Sequence, residues 1–338
     1  MPITRLAGPL RKGIFGAALL VATGLACGRT PIGDAPSPTP RGSAGHFDAS
    51  NLVRADADAP ANVPPDLQPD LHSALRPDGK PPAAAFVSIS AGYSSACGLR
   101  TDGTIACWGE NAHGEATPPA GTFTSVSAGA SLACGLRTDG TLACWGLNVS
   151  PPPAGNYAAV STGDGLACAL RTDGTVACWG DHFSNLAPAG TFASVSAGDG
   201  FACGLRNDGT IDCWGTAEVV YFAMSSASTF TSISAGAILV CGLRPDSTIA
   251  CWNDYFLGEA PPTGTFASVS AGDDFACALR SDSTVTCWGN NNYGRAKPPA
   301  GTFASVSSGY LFACGLRTDG TIACWGDNEF GEATPPAP

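Results

Sequence analysis

Seven times between Cys97 and Cys324 the chain sets two cysteines ten residues apart around a short turn, and each second cysteine is followed directly by tryptophan. The pairs are Cys97 with Cys107, Cys134 with Cys144, Cys168 with Cys178, Cys203 with Cys213, Cys241 with Cys251, Cys277 with Cys287 and Cys314 with Cys324, and successive pairs begin 34 to 38 residues apart. All seven tryptophans, from Trp108 to Trp325, sit in this place, and of 15 cysteines only Cys27 falls outside the scheme. A period of this length is the signature of a repeat architecture in which each unit buries its apolar face against the next.

The spacing can be read as hairpin geometry. In "CGLRTDGTIACWG", Cys97 to Gly109, the three residues Thr101-Asp102-Gly103 form a loop of the kind made by a type I turn followed by glycine in the left-handed region. Pairing outward from Arg100 and Thr104 sets Cys97 opposite Cys107 at a non-hydrogen-bonded site, where the Cα atoms are close enough to bridge. Each bridge closes a loop of about eleven residues, worth roughly 2.5 to 3 kcal/mol in the chain-entropy account. Seven bridges require an oxidising compartment. Zinc binding and dithiol redox chemistry want closer Cys-x-x-Cys or Cys/His spacings, and His113 and His182 are the only histidines after residue 80.

The rest of each repeat supplies more strand. "FTSVSAG", Phe123 to Gly129, alternates apolar with small polar residues, and "GEATPPAG", Gly114 to Gly121, reads as a short prolyl edge strand. The expectation is therefore all-β: a seven-bladed β-propeller of four-stranded blades over 81–338, with an elongated β-solenoid as the alternative.

The succession "SAG", "CGLRTDGTIACWG", then Asn and "GEA", in Ala91–Gly114 and again in Ser308–Gly331, resembles the regulator of chromosome condensation repeat, whose members form seven-bladed propellers. The resemblance covers residues 86–338. It departs at Asn253, which replaces the glycine after Trp252, at Ser247 and Ser283, which replace the turn glycine, and at 216–230, where "TAEVVYFAM" replaces the usual loop. The family includes a chromatin-bound guanine-nucleotide exchange factor and a secreted β-lactamase inhibitor, and neither role follows from fold alone. An exchange factor on chromatin would want a basic surface and reduced thiols. The inhibitor's use of one propeller face for a protein partner is the closer analogy.

Arg5, Arg11 and Lys12 precede the apolar run "GIFGAALLVATGLA", residues 13–26, and Cys27 follows. The run is too short for an ordinary membrane span and suits a secretory signal over 1–26. Leu25, Ala26 and Cys27 resemble a bacterial lipoprotein signal, which implies acylation of Cys27, although Gly24 stands where that family usually has leucine. Cleavage after Ala26 without lipid, or retention as an anchor, are the alternatives. Residues 27–80, rich in Pro, Ala and Asp, read as a linker spanning roughly 40 Å as a flexible coil. Within it "LHSALRPDGKPP", Leu71 to Pro82, is either half a repeat or a chance match. The expected location is the cell envelope, as an outer-membrane or cell-surface lipoprotein, otherwise secreted or periplasmic.

Charge separates the two ends of such a propeller. The net charge of −11 becomes −14 once the three cations before Cys27 are removed, which disfavours phosphate backbones and anionic lipid. The end bearing the hairpin turns is balanced, its seven arginines from Arg100 to Arg317 matched by Asp102 to Asp319; there the aspartate orders the turn and the arginine is a solvated neighbour. The opposite end collects Glu110, Glu115, Asp164, Asp181, Asp199, Glu218, Asp254, Glu259, Asp273, Asp274, Asp327, Glu329 and Glu332 against Arg295 and Lys297. His113, Phe183, Tyr255, Phe256, Tyr293 and Phe330 lie in related loops, either packed into their own blades or exposed as contact material. The candidate partner face comprises Asp164, Asp181, Asp199, Asp254, Asp273 and Asp274 with Phe183, Tyr255 and Phe256. Plain solubility and weak calcium binding compete for the same acids, and "DNEFGE" at Asp327 resembles a calcium loop only loosely. No catalytic, cofactor or metal motif stands out. The expected function is a monomeric, non-enzymatic envelope propeller that binds a protein, a basic one if the acidic end is its seat, and no nucleic acid. The alternative is an inhibitor of a secreted enzyme; below it stand an exchange factor and an enzyme with its site on the propeller axis.

Overall fold

The computed structural model describes residues 85–147, 150–180, 187–215, 228–252 and 260–337, which form seven sheets of three antiparallel strands each. In the first blade the inner strand is Phe86–Ala91, the middle strand Ser95–Arg100 and the outer strand Ile105–Gly109. The other inner strands are Phe123–Ala128, Tyr157–Thr162, Phe192–Ala197, Ser232–Ala235, Phe266–Ala271 and Phe303–Ser308. Register between middle and outer strands runs Leu99 to Ile105, Gly98 to Ala106 and Cys97 to Cys107.

The disulfides follow this register in every blade. Cys97 is bridged to Cys107, Cys134 to Cys144, Cys168 to Cys178 and Cys203 to Cys213, each with Cα atoms 4.0 Å apart. Cys241 is bridged to Cys251, Cys277 to Cys287 and Cys314 to Cys324 at the same 4.0 Å. The pairing expected from the ten-residue spacing is the pairing observed, with no link between repeats.

The core lies between blades rather than within them. Cys97, Leu99 and Ile105 of the first blade pack on Phe123, Val126, Ala128 and Trp145 of the second. The same contact recurs around the ring to the seam, where Phe312 and Cys314 of the last blade meet Ala91, Ala96 and Trp108 of the first. A three-stranded unit cannot cover its own apolar face, so each depends on its neighbour. Each disulfide lies in one of these shared cores. Its value is therefore partly packing: the first cysteine of every pair is fully buried, while Cys107, Cys144, Cys213, Cys251, Cys287 and Cys324 are only partly covered and pack on the core from its edge. Cys178 is the exception among the second cysteines, being buried with the rest of its cluster.

Two rings of polar contacts close the circle. The inner-strand serines Ser90, Ser127, Ser161, Ser196, Ser234, Ser270 and Ser307 each accept, through Oγ, a backbone N–H from an inner strand next to their own, at 2.9–3.0 Å. They line an axial channel of about 140 Å³. Above them a belt of glycines, one per blade, brings backbones so close that a methyl group on Gly163 would collide with the carbonyl of Gly198; the relation repeats around to Gly309 against Gly92. Glycine is required there by this approach, and at Gly198, Gly272 and Gly309 also by the rings of Phe201, Phe275 and Phe312 packed against it.

The sequence leads to a fourth strand at Gly114–Gly121, and the structure has none there. Pro118 and Pro119 have no N–H to add to a ladder, and Asn111 holds the segment in a loop instead. Its Oδ1 accepts the Ala116 N–H at 3.0 Å and its Nδ2 donates to Thr117 Oγ1 at 3.0 Å. Asn328 does the same for Ala333 and Thr334. The loop reaches the next blade through its backbone: Trp145 Nε1 donates to the Glu115 carbonyl, Trp325 to that of Arg295 and Trp108 to that of Glu332, each at 2.8 Å. The described residues between 85 and 337 thus close the ring, and Leu71–Pro82 lie outside the described residues.

Candidate functional site

The inner-to-middle connections converge on one end of the axis. After the belt glycine, the seven repeats place Tyr93, Ala130, Asp164, Asp199, Ala237, Asp273 and Tyr310 around a mouth of about 100 Å³. Backbone bonds knit the rim: Tyr93 donates its N–H to the Gly129 carbonyl at 3.0 Å and Tyr310 to that of Gly92 at 3.1 Å, while Asp164 and Asp199 pair as a parallel bridge. Adjacent at the seam, the Tyr93 and Tyr310 rings stack with centroids 3.8 Å apart.

Three carboxylates therefore share the mouth, Asp164 and Asp199 exposed and Asp273 partly buried. Burial raises the Asp273 carboxyl to about 6, helped by the neighbouring Asp274 charge and opposed by Arg295. Asp199 is raised by burial and then by Asp164. The Tyr93 hydroxyl is pushed up by burial and by its bond to Tyr310. Asp164, Asp199 and Asp273 make no ion pair among the described residues, which hold no cluster of metal-ligating side chains either. The site gathers negative charge that makes no ion pair among the described residues and is rimmed by tyrosine.

Asp274 differs from its neighbours. It pairs with Arg295 Nη2 at 2.6 Å, and that nearly buried guanidinium also donates to the carbonyls of Asn290 and Tyr310 and lies 5.5 Å over the Phe275 ring. Asp274 is structural and drops out of the free acidic set. Glu115 and Glu332 drop out too: both are buried, their Oε2 atoms accepting the backbone N–H of His113 and Phe330. With its glutamate turned inward, the Asp327 loop is not laid out as a calcium site. Asp181, Asp254, Phe183, Tyr255, Phe256 and Val219–Met224 lie outside the described residues, as does Cys27.

The other end is as balanced as its composition suggests, with one correction. Each turn aspartate accepts both the N–H and the hydroxyl of the threonine two residues on, as Asp102 does from Thr104 at 2.9 and 2.6 Å, and these bonds hold its carboxyl below the usual carboxylate range. The arginines, however, are not merely solvated. All seven lie over the aromatic ring that opens their own blade, Arg206 over Phe192 at 4.6 Å being the nearest. Their charge is committed to packing.

Reading the repeats one at a time misses the two tyrosines. Aligned on the belt glycine, the following position reads Tyr, Ala, Asp, Asp, Ala, Asp, Tyr, and that column is the signal that marks the mouth.

A ring of seven sheets stitched edge to edge, with its first blade seated on its last, defines the molecule as a seven-bladed β-propeller. Residues 86–115, 123–150, 192–216, 266–295 and 303–332 match the Regulator of chromosome condensation (RCC1) repeat, so the chain carries that repeat at five positions. No curated protein matches it in sequence. Among solved structures, the entire ectodomain of the receptor kinase CR4 from Physcomitrella patens is 28% identical with a TM-score of 0.65, over 72% of this chain and 74% of that one. The CRINKLY WD40 ectodomain of the Arabidopsis thaliana receptor kinase ACR4 is 27% identical with a TM-score of 0.62, over 72% and 98%. Prp20p of Saccharomyces cerevisiae, at 15% identity and a TM-score of 0.55 over 68% and 81%, shares the fold.

Proposed function

We propose that the protein is a non-enzymatic binding propeller of an oxidising, extracytoplasmic compartment, which takes a basic protein partner on the face that bears the axial mouth. The observation that carries this reading is the set Asp164 and Asp199, exposed, and Asp273, partly buried, all three free of ion pairs among the described residues and bordered by the Tyr93–Tyr310 stack. Like charges gathered without an ion-pair partner repel one another, and that repulsion is relieved when a cation arrives. The disulfides and the two ectodomain neighbours support the compartment. Acylation of Cys27 would fix the protein to a membrane, and Cys27→Ser is then expected to move it to the soluble fraction; unchanged membrane association would refute the lipid.

The full chain bearing Asp164→Asn, Asp199→Asn and Asp273→Asn is the test. Partner capture should weaken with salt in the parent and lose both strength and salt dependence in the variant, since exposed charges are screened beyond about 8 to 10 Å near physiological ionic strength. Neutralising Asp102, Asp139 and Asp173 at the opposite end should change nothing. Equal effects from both sets would return the mouth acids to solubility. The inhibitor version of this reading uses the same face, and is distinguished by a captured enzyme that loses activity on binding.

A further inference from the structure

The mouth face is not uniform around the ring. Blades six, seven and one carry exposed aromatic rings that the described parts of the other four lack: Tyr93 is 42% exposed, Tyr293 66% and Phe330 49%. Two of these sit in rim loops that start beside the mouth, since the Asp327 N–H bonds to the Leu311 carbonyl and Arg295 reaches that of Tyr310. A ring just before the loop glycine could pack into its own blade, but Tyr293 and Phe330 turn outward.

Tyr293 also holds φ at 62°, a conformation unfavourable to any residue with a side chain, while His113 and Phe330 in the equivalent places do not. A large ring held exposed in such a backbone has no account in the packing of the blade, and such outliers gather where surfaces are used. The same three blades carry Glu110, Asp273, Asp327 and Glu329, with no ion pair among the described residues. Arg295 is consumed by Asp274, which leaves Lys297 as the sector's free cation. Aromatic faces beside unpaired carboxylates suit a guanidinium, which stacks on a ring and forks onto a carboxylate, better than an ammonium.

We infer that blades six, seven and one form the docking surface for an arginine-bearing polypeptide segment, one guanidinium at the mouth and another on a rim ring, Tyr293 or Phe330. The inference rests on the reading of the mouth face as a site for a basic protein. Three strands spaced about 4.8 Å apart set the rim loop roughly 10 to 15 Å from the inner strand, the reach of about four extended residues. Two arginines four residues apart therefore match it.

The test is titration of the full chain with Gly-Arg-Gly-Ser-Gly-Arg-Gly and with its lysine counterpart of equal charge. The arginine peptide is expected to bind about five- to tenfold more tightly. Tyr293→Ser with Phe330→Ser should abolish that preference while leaving the lysine peptide unchanged, and Tyr293→Phe, which keeps a ring, should retain it; unaltered thermal unfolding confirms that these exposed changes leave the fold intact. Equal binding of the two peptides, no binding of either, or a preference that survives the double substitution overturns the inference and leaves the acidic-face reading standing. Binding of both peptides that ignores salt and the three Asp→Asn changes overturns the acidic-face reading itself.

Discussion

Ser307 in the last blade accepts the backbone N–H of Ala91 in the first through its Oγ at 2.9 Å, the one member of the serine ring that joins the two ends of the repeat array. Ser307→Ala leaves that part-buried N–H without its partner. A loss of about 1 to 2 kcal/mol is expected in chemical denaturation. A midpoint unchanged from the parent would show that the seam does not need the bond.

The turn glycine is replaced by serine in two blades, and Ser247 and Ser283 nevertheless take φ of 65° and 68°, beside 80° to 84° for Gly103, Gly140, Gly174, Gly209 and Gly320. Ser247→Gly and Ser283→Gly should each stabilise by about 0.5 to 1 kcal/mol, because glycine enters that region without a steric penalty. Thermal unfolding of the single and double variants checks both the sign and the additivity.

Replacing Cys97 and Cys107 together by alanine should cost about 2 to 3 kcal/mol from the lost loop constraint. Mass mapping of unreduced peptides should recover every bridge within one repeat, and an inter-repeat link would contradict the hairpin register.

Asp273 provides a pH dependence of definite sign. Its carboxyl is raised from 3.8 to about 6, so the folded protein holds a proton that the unfolded chain has released across that window, and stability falls as pH rises through it. Asp273→Asn should add about 1 kcal/mol at pH 7 to 8 once solvent screening of this half-exposed group is allowed for, and nothing near pH 3.5. Partner binding should run the other way, weakening as pH drops below 6. Parallel unfolding and binding profiles separate the two.

Blade six exchanges a buried glutamate for Arg295, with Asp274 standing where the first blade has Ser94. Arg295→Glu alone would set two carboxylates together and should destabilise by about 3 kcal/mol. Adding Asp274→Ser rebuilds the arrangement of Ser94 and Glu115 and should recover most of that loss. A double variant no better than the single would mean that the two positions act independently.

The hairpin is legible because cysteine parity, turn chemistry and tryptophan position all lie within thirteen residues, and local pairing rules fix them. What lies between blades is not. Ser90 reads as the polar half of an alternating strand until the Ala128 N–H of the next blade is seen on it; within one blade, too, Arg100 reads as solvated until Phe86 lies beneath it. Glu115 reads as surface charge for the same reason, since only the folded loop shows its carboxylate turned back on His113. The prolyl segment has the composition of an edge strand, but Asn111 offers its backbone nearer partners than a fourth ladder could.

Every bridge ends in the blade where it starts, so the ring is covalently an open chain held shut only by the non-covalent seam between its last and first blades, where Phe312 packs with Trp108 and Ser307 holds Ala91. Under tension applied at its two ends, that seam should yield first and the blades then peel away in sequence. Each would surrender only the chain outside its staple. With repeats 34 to 38 residues long and ten residues locked in each bridge, that amounts to 24 to 28 residues, or roughly 80 to 100 Å of extension per step. The staples thus set a fixed stride for forced unfolding, and reducing them would lengthen it.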